Sequence, residues 1–299
     1  MSSIDEALLS TILIEAGRKP RVEATEAISG GNINQAWRIQ LPDGEQLFLK
    51  LNHARHAAMF EGEAEGLMAL GETGAVRVPW PLGQGLSGDR AWLLCEHLPL
   101  QSAGENADAR LGECLAQLHS HTADAYGWHR DNHIGLTLQR NRWTTDWITF
   151  FRDQRLGPQL DQLSRKEGLN AMVEKGRALM ESLPGLLPDC HPAPSLLHGD
   201  LWFGNRACSP DGEAVLFDPA SHFGDSDCDL AMTELFGGFS SRFYQAYRHH
   251  HPRKEDYPLR RDLYQLYHTL NHANLFGGIY AAQATRLIEG LLSEAAKVR

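Results

Sequence analysis

Apolar residues recur along the chain with two different periods. Leu8, Leu9, Ile12, Leu13 and Ala16 fall at helical spacing. They follow Ser3-Ile4-Asp5-Glu6, which fits a capping box between Ser3 and Glu6, and Gly17 supplies a stop. From about residue 21 to 51 the period drops to two. Trp37, Ile39 and Leu41 alternate, as do Leu47, Leu49 and Leu51, and Pro42-Asp43-Gly44 supplies a turn between them. A helix over about 54–70 and strands around 76–81 and 91–96 complete a small antiparallel sheet with one inserted helix.

After Leu98-Pro99-Leu100 the helical period dominates. Leu111, Leu115 and Leu118 mark one helix, and longer patterns cover about 141–166 and 168–183. Trp143, Trp147, Phe150 and Phe151 read as a stripe facing the core. Pro210-Asp211-Gly212 joins two short strands, around Arg206 and around 215–217, and helices fill the chain from Asp229 onward. The pattern predicts an α+β chain of two lobes. Residues 1–98 form a β-rich lobe, and 99–299 a mainly helical lobe. No repeat or low-complexity tract interrupts them.

Composition narrows the class. Apolar residues make up 42% and charged residues 22%, ordinary values for a soluble globular chain. No run approaches about 18 consecutive apolar residues, so no membrane partner is expected. The acidic start Ser3-Ile4-Asp5-Glu6 does not read as a signal peptide, which makes the cytoplasm the expected compartment. A net charge of −10 without a dense Lys/Arg run argues against nucleic acid as a partner. The five cysteines are odd in number and form no C-x-x-C, so reduced, mostly buried thiols are expected.

The chemistry lies in His198-Gly199-Asp200-Leu201-Trp202-Phe203-Gly204-Asn205. In a kinase catalytic loop an Asp accepts the acceptor hydroxyl's proton and an Asn five residues later binds magnesium. Asp200 and Asn205 have that spacing. Asp218 ends the apolar run Val215-Leu216-Phe217 and suits a hard-oxygen magnesium ligand. Lys50 lies in the third strand pattern as the cation for the ATP phosphates. Glu63 is its expected partner, ahead of Glu61 and Glu65 on other helix faces. Gly30-Gly31-Asn32-Ile33-Asn34 fits a phosphate-covering loop, and no Walker P-loop is present. Glu96-His97-Leu98 leaves the last strand of the first lobe, where its backbone can meet adenine. Two histidine groups are set aside. His249-His250-His251 reads as a solvated helix end, and His268 with His272 lacks the glutamate of a zinc motif.

Further runs carry a resemblance. They are Phe60-Glu61-Gly62-Glu63-Ala64-Glu65-Gly66-Leu67, Asp131-Asn132-His133-Ile134-Gly135 and Phe217-Asp218-Pro219-Ala220. Asp229-Leu230-Ala231-Met232, Phe236-Gly237-Gly238-Phe239 and Tyr264-Gln265-Leu266-Tyr267-His268 continue them. With the catalytic run, they make the chain resemble the fructosamine kinase family, within the aminoglycoside-phosphotransferase-like and protein-kinase-like group. The resemblance implies a two-lobe kinase fold and an ATP- and Mg2+-dependent kinase. Its acceptor would be the sugar 3-hydroxyl of ketosamines, either small adducts of amines or glycated protein lysines. The 3-phosphate is unstable and the amine is released. It further implies Trp202 and His198 on the substrate side, and a monomer or weak homodimer. Asp218-Pro219-Ala220 stands where protein kinases have D-F-G, and no activation-loop segment follows. The loop at 30–34 lacks the cysteine that some members carry, so a redox switch there is absent. A kinase of the aminoglycoside or choline type and a pseudokinase binding module are the rival readings. Which sugar is preferred depends on residues outside the catalytic run.

Overall fold

The computed structural model describes residues 4–28, 33–102 and 104–298. Helix α1 (Glu6–Glu15) precedes strands β1 (Ala24–Ile28), β2 (Gln35–Gln40) and β3 (Gln46–His53). Helix α2 (Ala57–Glu72), β4 (Pro81–Ser87) and β5 (Arg90–Glu96) complete the first lobe. The five strands are antiparallel in the order β1-β2-β3-β5-β4. Asp5 caps α1, accepting from the Ala7 and Leu8 amides. Ser3 lies outside the described residues.

The sheet has two buried faces, which explains the strand pattern. Leu47, Leu49 and Leu51 join Trp37, Ile39, Trp92 and Leu94 against Leu9, Ile12 and Leu13 of α1. Leu93 and Cys95 point the other way, into the cluster that holds Phe60, Ala64 and Leu67 of α2. Lys50 pairs in register with Leu93, so it emerges on the α2 face. The strand expected around 76–81 is displaced, since β4 begins at Pro81. Pro81-Leu82-Gly83-Gln84-Gly85 looks like a turn, yet Gly83 and Gly85 sit where a Cβ would lie 3.3 and 3.0 Å from the Trp92 ring.

The second lobe opens with α3 (Glu105–His119) and the hairpin β6 (Asn132–Ile134) to β7 (Thr137–Gln139). Helices α4 (Trp147–Phe151), α5 (Gly157–Leu163) and α6 (Asn170–Leu186) follow, with a π turn at Arg152–Leu156. Helix therefore begins at Trp147 rather than near 141. Trp143 is 45% exposed and stacks on Phe223, whereas Trp147, Phe150 and Phe151 are buried as expected. Strands β8 (Ser195–Leu197), β9 (Arg206–Cys208), β10 (Ala214–Leu216) and β11 (His222–Gly224) form two short hairpin-like pairs, β9 with β10 and β8 with β11. Four helices end the chain: α7 (Asp227–Leu235), α8 (Ser241–His250), α9 (Tyr257–Phe276) and α10 (Ile279–Val298). No helix among the described residues is long and apolar enough to cross a membrane. All five cysteines are free, and four of them are buried.

Candidate active site

Two strand ends meet between the lobes. The catalytic run leaves β8, and Asp218 follows β10. Close backbone contact joins them. Ala220 N donates to His198 O at 2.9 Å and Phe217 N to Asn205 O at 3.1 Å. Gly199 has φ +84°, and any Cβ there would run into the Ala220 carbonyl. Asp218 is the one non-glycine residue with positive φ (58°) among those described. A left-handed backbone at a carboxylate between two strands is local strain held in place by the fold.

Asp200 and Asn205 face one another as their spacing predicts. Asn205 Nδ2 donates to Asp200 O at 2.9 Å and lies 3.3 Å from Asp200 Oδ2. The Asp200 side chain keeps 22% of its surface exposed, yet it sits deep in the cleft. Burial, then the carboxylates of Asp218 and Asp229, push it up to about 7 from an ordinary 3.8.

Lys50 donates to Glu63 Oε1 at 2.5 Å and also to Asp218 Oδ1. Glu63 is thus the partner, and the neighbouring glutamates have another task. Glu61 and Glu65 both bind Arg130, at 2.5 and 2.9 Å, and His129 adds to Glu65 at 2.9 Å. Glycines then let α2 sit tight on the second lobe. A Cβ on Gly62 would lie 2.8 Å from Asn132 Cβ, and one on Gly66 3.1 Å from Pro219 and Ser221. Burial lowers the Lys50 pKa, but Asp218 and Glu63 outweigh it and raise it. Glu63 is itself pushed up to about 7 by burial, with Lys50 opposing and Asp218 adding.

Among the described residues Lys50 is the one ammonium paired with Glu63 and Asp218, and the Asp200 carboxylate feels the charge of Asp218. That surplus of negative charge fits a divalent cation. Asp218 supplies an exposed carboxylate, 48% accessible, and Asn205 an amide oxygen. One or two protein ligands plus phosphates and water is the usual magnesium arrangement. No group of three or more His, Cys, Asp or Glu side chains among the described residues forms a closed metal site.

Other expected residues divide. Ile33 and Asn34 are tied to β3, because Asn52 Nδ2 donates to Ile33 O at 3.1 Å and Asn34 Oδ1 at 2.7 Å. Gly30, Gly31 and Asn32 lie outside the described residues. The Glu96 carboxylate binds Arg77 at 2.7 Å and the Trp80 amide at 2.8 Å. The Glu96 and His97 amides donate to Trp80 O and Gln46 O, so these two donors are already engaged. His198 turns inward, away from the cleft surface. It is 0% exposed, its Nε2 meets Phe217 O at 3.0 Å and its Nδ1 meets the Asp200 amide at 3.3 Å. It braces the loop. Trp202 is half-buried and edge-on to Phe236, which contacts His272 in turn.

Sequence reasoning assigned Asp229 no role. Its buried carboxylate accepts from the His198 and Gly199 amides at 2.8 and 2.9 Å and meets His119 Nε2 at 3.1 Å. Burial would raise its pKa, but His119 and the amides hold it below the usual value. The Asp229-Leu230-Ala231-Met232 run was a signal, but its contact with the loop spans 31 positions.

A family model described as fructosamine kinase matches residues 6–294. The chain belongs to the fructosamine kinase family. It is 43% identical to a probable ketoamine kinase of Synechocystis sp., over 92% of each chain. It is 37% identical to the chloroplastic protein-ribulosamine 3-kinase of Arabidopsis thaliana, over 98% of this chain and 90% of that one. The crystal structure of a fructosamine-3-kinase homologue from Haemophilus somnus 129PT superposes with a TM-score of 0.86 and 31% identity, covering 96% of this chain and 97% of that one. The kinase-like two-lobe fold is therefore that of the family, with ATP and a divalent metal as its general requirements.

Proposed function

We propose that this protein transfers the γ-phosphoryl group of ATP to the 3-hydroxyl of a ketosamine, on a small amine or on a protein lysine. The observation that carries this reading is the convergence of Lys50, Glu63 and Asp218 with Asp200 and Asn205 in a chain of this family.

Lys50 binds the ATP phosphates, and Glu63 keeps its ammonium in place. The loop at 30–34 covers those phosphates, anchored at its described end by Asn52. The Leu98 amide, which makes no backbone hydrogen bond among the described residues, is the donor for adenine at the strand exit, beside the engaged Glu96 and His97 amides. Asn205 and Asp218 would hold Mg2+, which supplies neutralisation of charge on the transferring group. Asp200 accepts the proton of the sugar hydroxyl as its oxygen bonds to the γ-phosphorus and the bond to the ADP oxygen breaks. Trp202, beside Phe236, flanks the sugar. The Asp229 anchor and the buried His198 keep the loop from moving as charge shifts. Residues 219–226 alone separate Asp218 from α7, and β11 within them pairs with β8. No activation segment needs to be ordered first.

ATP consumption measured against a panel of ketosamines, aminoglycosides and choline tests the reading. Turnover is expected with ketosamines and magnesium, and Asp200→Asn should lower kcat by about 100- to 10,000-fold. Turnover with aminoglycosides or choline alone would refute the acceptor assignment, and full activity of Asp200→Asn would refute the base.

A further inference from the structure

Near the proposed base lies a buried imidazole without a partner. His268, on α9, is 4% exposed, and its Nδ1 makes no hydrogen bond. That nitrogen is 4.0 Å from Asp200 Oδ1. Its neighbours are satisfied: His272 Nδ1 meets the His268 carbonyl at 2.8 Å, and Tyr267 donates to Gln139 at 2.8 Å. On the other side of the gap, Asp200 Oδ2 faces Asn205 Nδ2, while Oδ1 receives no hydrogen bond among the described residues. A buried polar atom left unpaired is costly, and here the buried His268 nitrogen faces a partly exposed carboxylate oxygen just beyond bonding distance.

We propose that His268 is a positioning residue for phosphoryl transfer, its Nδ1–H donating to Asp200 Oδ1 when the cleft closes on nucleotide and sugar. Each carboxylate oxygen is then fixed by its own donor, Oδ2 by Asn205 and Oδ1 by His268. This rests on the reading of Asp200 as the base. The required movement is about 1 Å, and catalytic hydrogen bonds commonly tighten by such amounts in the substrate complex. His268 stays neutral. Burial, then the neighbouring His272, pull its pKa to about 3, with Arg155 adding and Asp229 opposing. A neutral imidazole beside a carboxylate turns its N–H toward it. It orients the base without placing a second cation where the phosphates must bind Lys50.

Steady-state kinetics of His268→Leu and His268→Asn test this. The leucine fills the space and removes the donor. Its kcat should fall about 10- to 100-fold, the worth of a hydrogen bond to a charged group, with KM for ATP and ketosamine unchanged. Asparagine places an amide N–H near the Nδ1 position and should restore most of kcat. An unchanged kcat in His268→Leu overturns the proposal. So does a change confined to the ketosamine KM, which would make His268 a sugar ligand. If the leucine variant does not fold, His268→Asn against His268→Gln decides: a higher kcat for asparagine supports the proposal, and equal values overturn it. Should the wild type transfer nothing to ketosamines, the functional reading fails by itself. The same variants are then compared on Asp200-dependent hydrolysis of ATP.

Discussion

The two sides of the cleft are built on different physics. On the nucleotide side charge is met by charge: Lys50 binds Glu63 and Asp218, and Arg130 binds Glu61 and Glu65. Helix α2 is pressed by Gly62 and Gly66 against Asn132, Pro219 and Ser221. On the proposed acceptor side the walls are rings. Trp202 meets Phe236 edge-on at 6.2 Å, Phe236 meets His272 at 5.1 Å, and His272 meets Tyr280 at 5.0 Å. The His268 nitrogen among them has no partner. Among the described residues, the Lys50 half therefore has its ion pairs already formed. Its Lys50–Glu63 pair is formed, with α2 seated by the close approach of Gly62 to Asn132 and of Gly66 to Pro219 and Ser221. The half around Trp202 leaves apolar ring faces open, and its unpaired His268 nitrogen lies 4.0 Å from the Asp200 carboxylate.

The comparison is broken most severely where both halves share an anchor. Asp229→Ala strands the His198 and Gly199 amides and the His119 ring in a buried site. It should cost about 3–5 kcal/mol in denaturant unfolding and abolish turnover. A variant of wild-type stability would show that the catalytic loop is held by other contacts. Glu63→Gln acts on the nucleotide half alone. Lys50 keeps Asp218 as a partner, so folding should survive while kcat/KM for ATP drops about tenfold, a loss of about 1.4 kcal/mol. An equal loss measured against the ketosamine alone would contradict the division of the cleft. The smallest effect is that of pH. Asp200 must be ionised to accept a proton, and its pKa is raised to about 7. Activity should therefore fall as pH drops, about tenfold per unit below the limb. Bound cations favour the carboxylate, so the limb should lie at or below about 7. A rate independent of pH between about 5 and 8 would remove Asp200 as the titrating base.

Much of this arrangement was legible in the chain. The alternating strands placed Lys50 on the face opposite Leu49 and Leu51, and the sheet shows why, since that face meets α2. The strand at Pro81 was hidden, because its glycines mimic a turn and are explained only by the Trp92 ring lying across them. Trp143 was assigned to the core by its spacing to Trp147, but the helix starts after it. His198 sits in the catalytic run, yet its ring turns inward to Phe217.

By itself the sequence determined the chemistry and the family. Asp200, Asn205 and Asp218 are delivered by strand ends only a few residues away, and such local spacing survives in one dimension. Only the tertiary structure decided that Glu61 and Glu65 bind Arg130, that Asp229 anchors the loop, and that His268 looks toward the base. Those contacts join residues 69, 65, 31 and 68 positions apart. Their partners are chosen by how helices pack on the strands, and no local pattern records that choice.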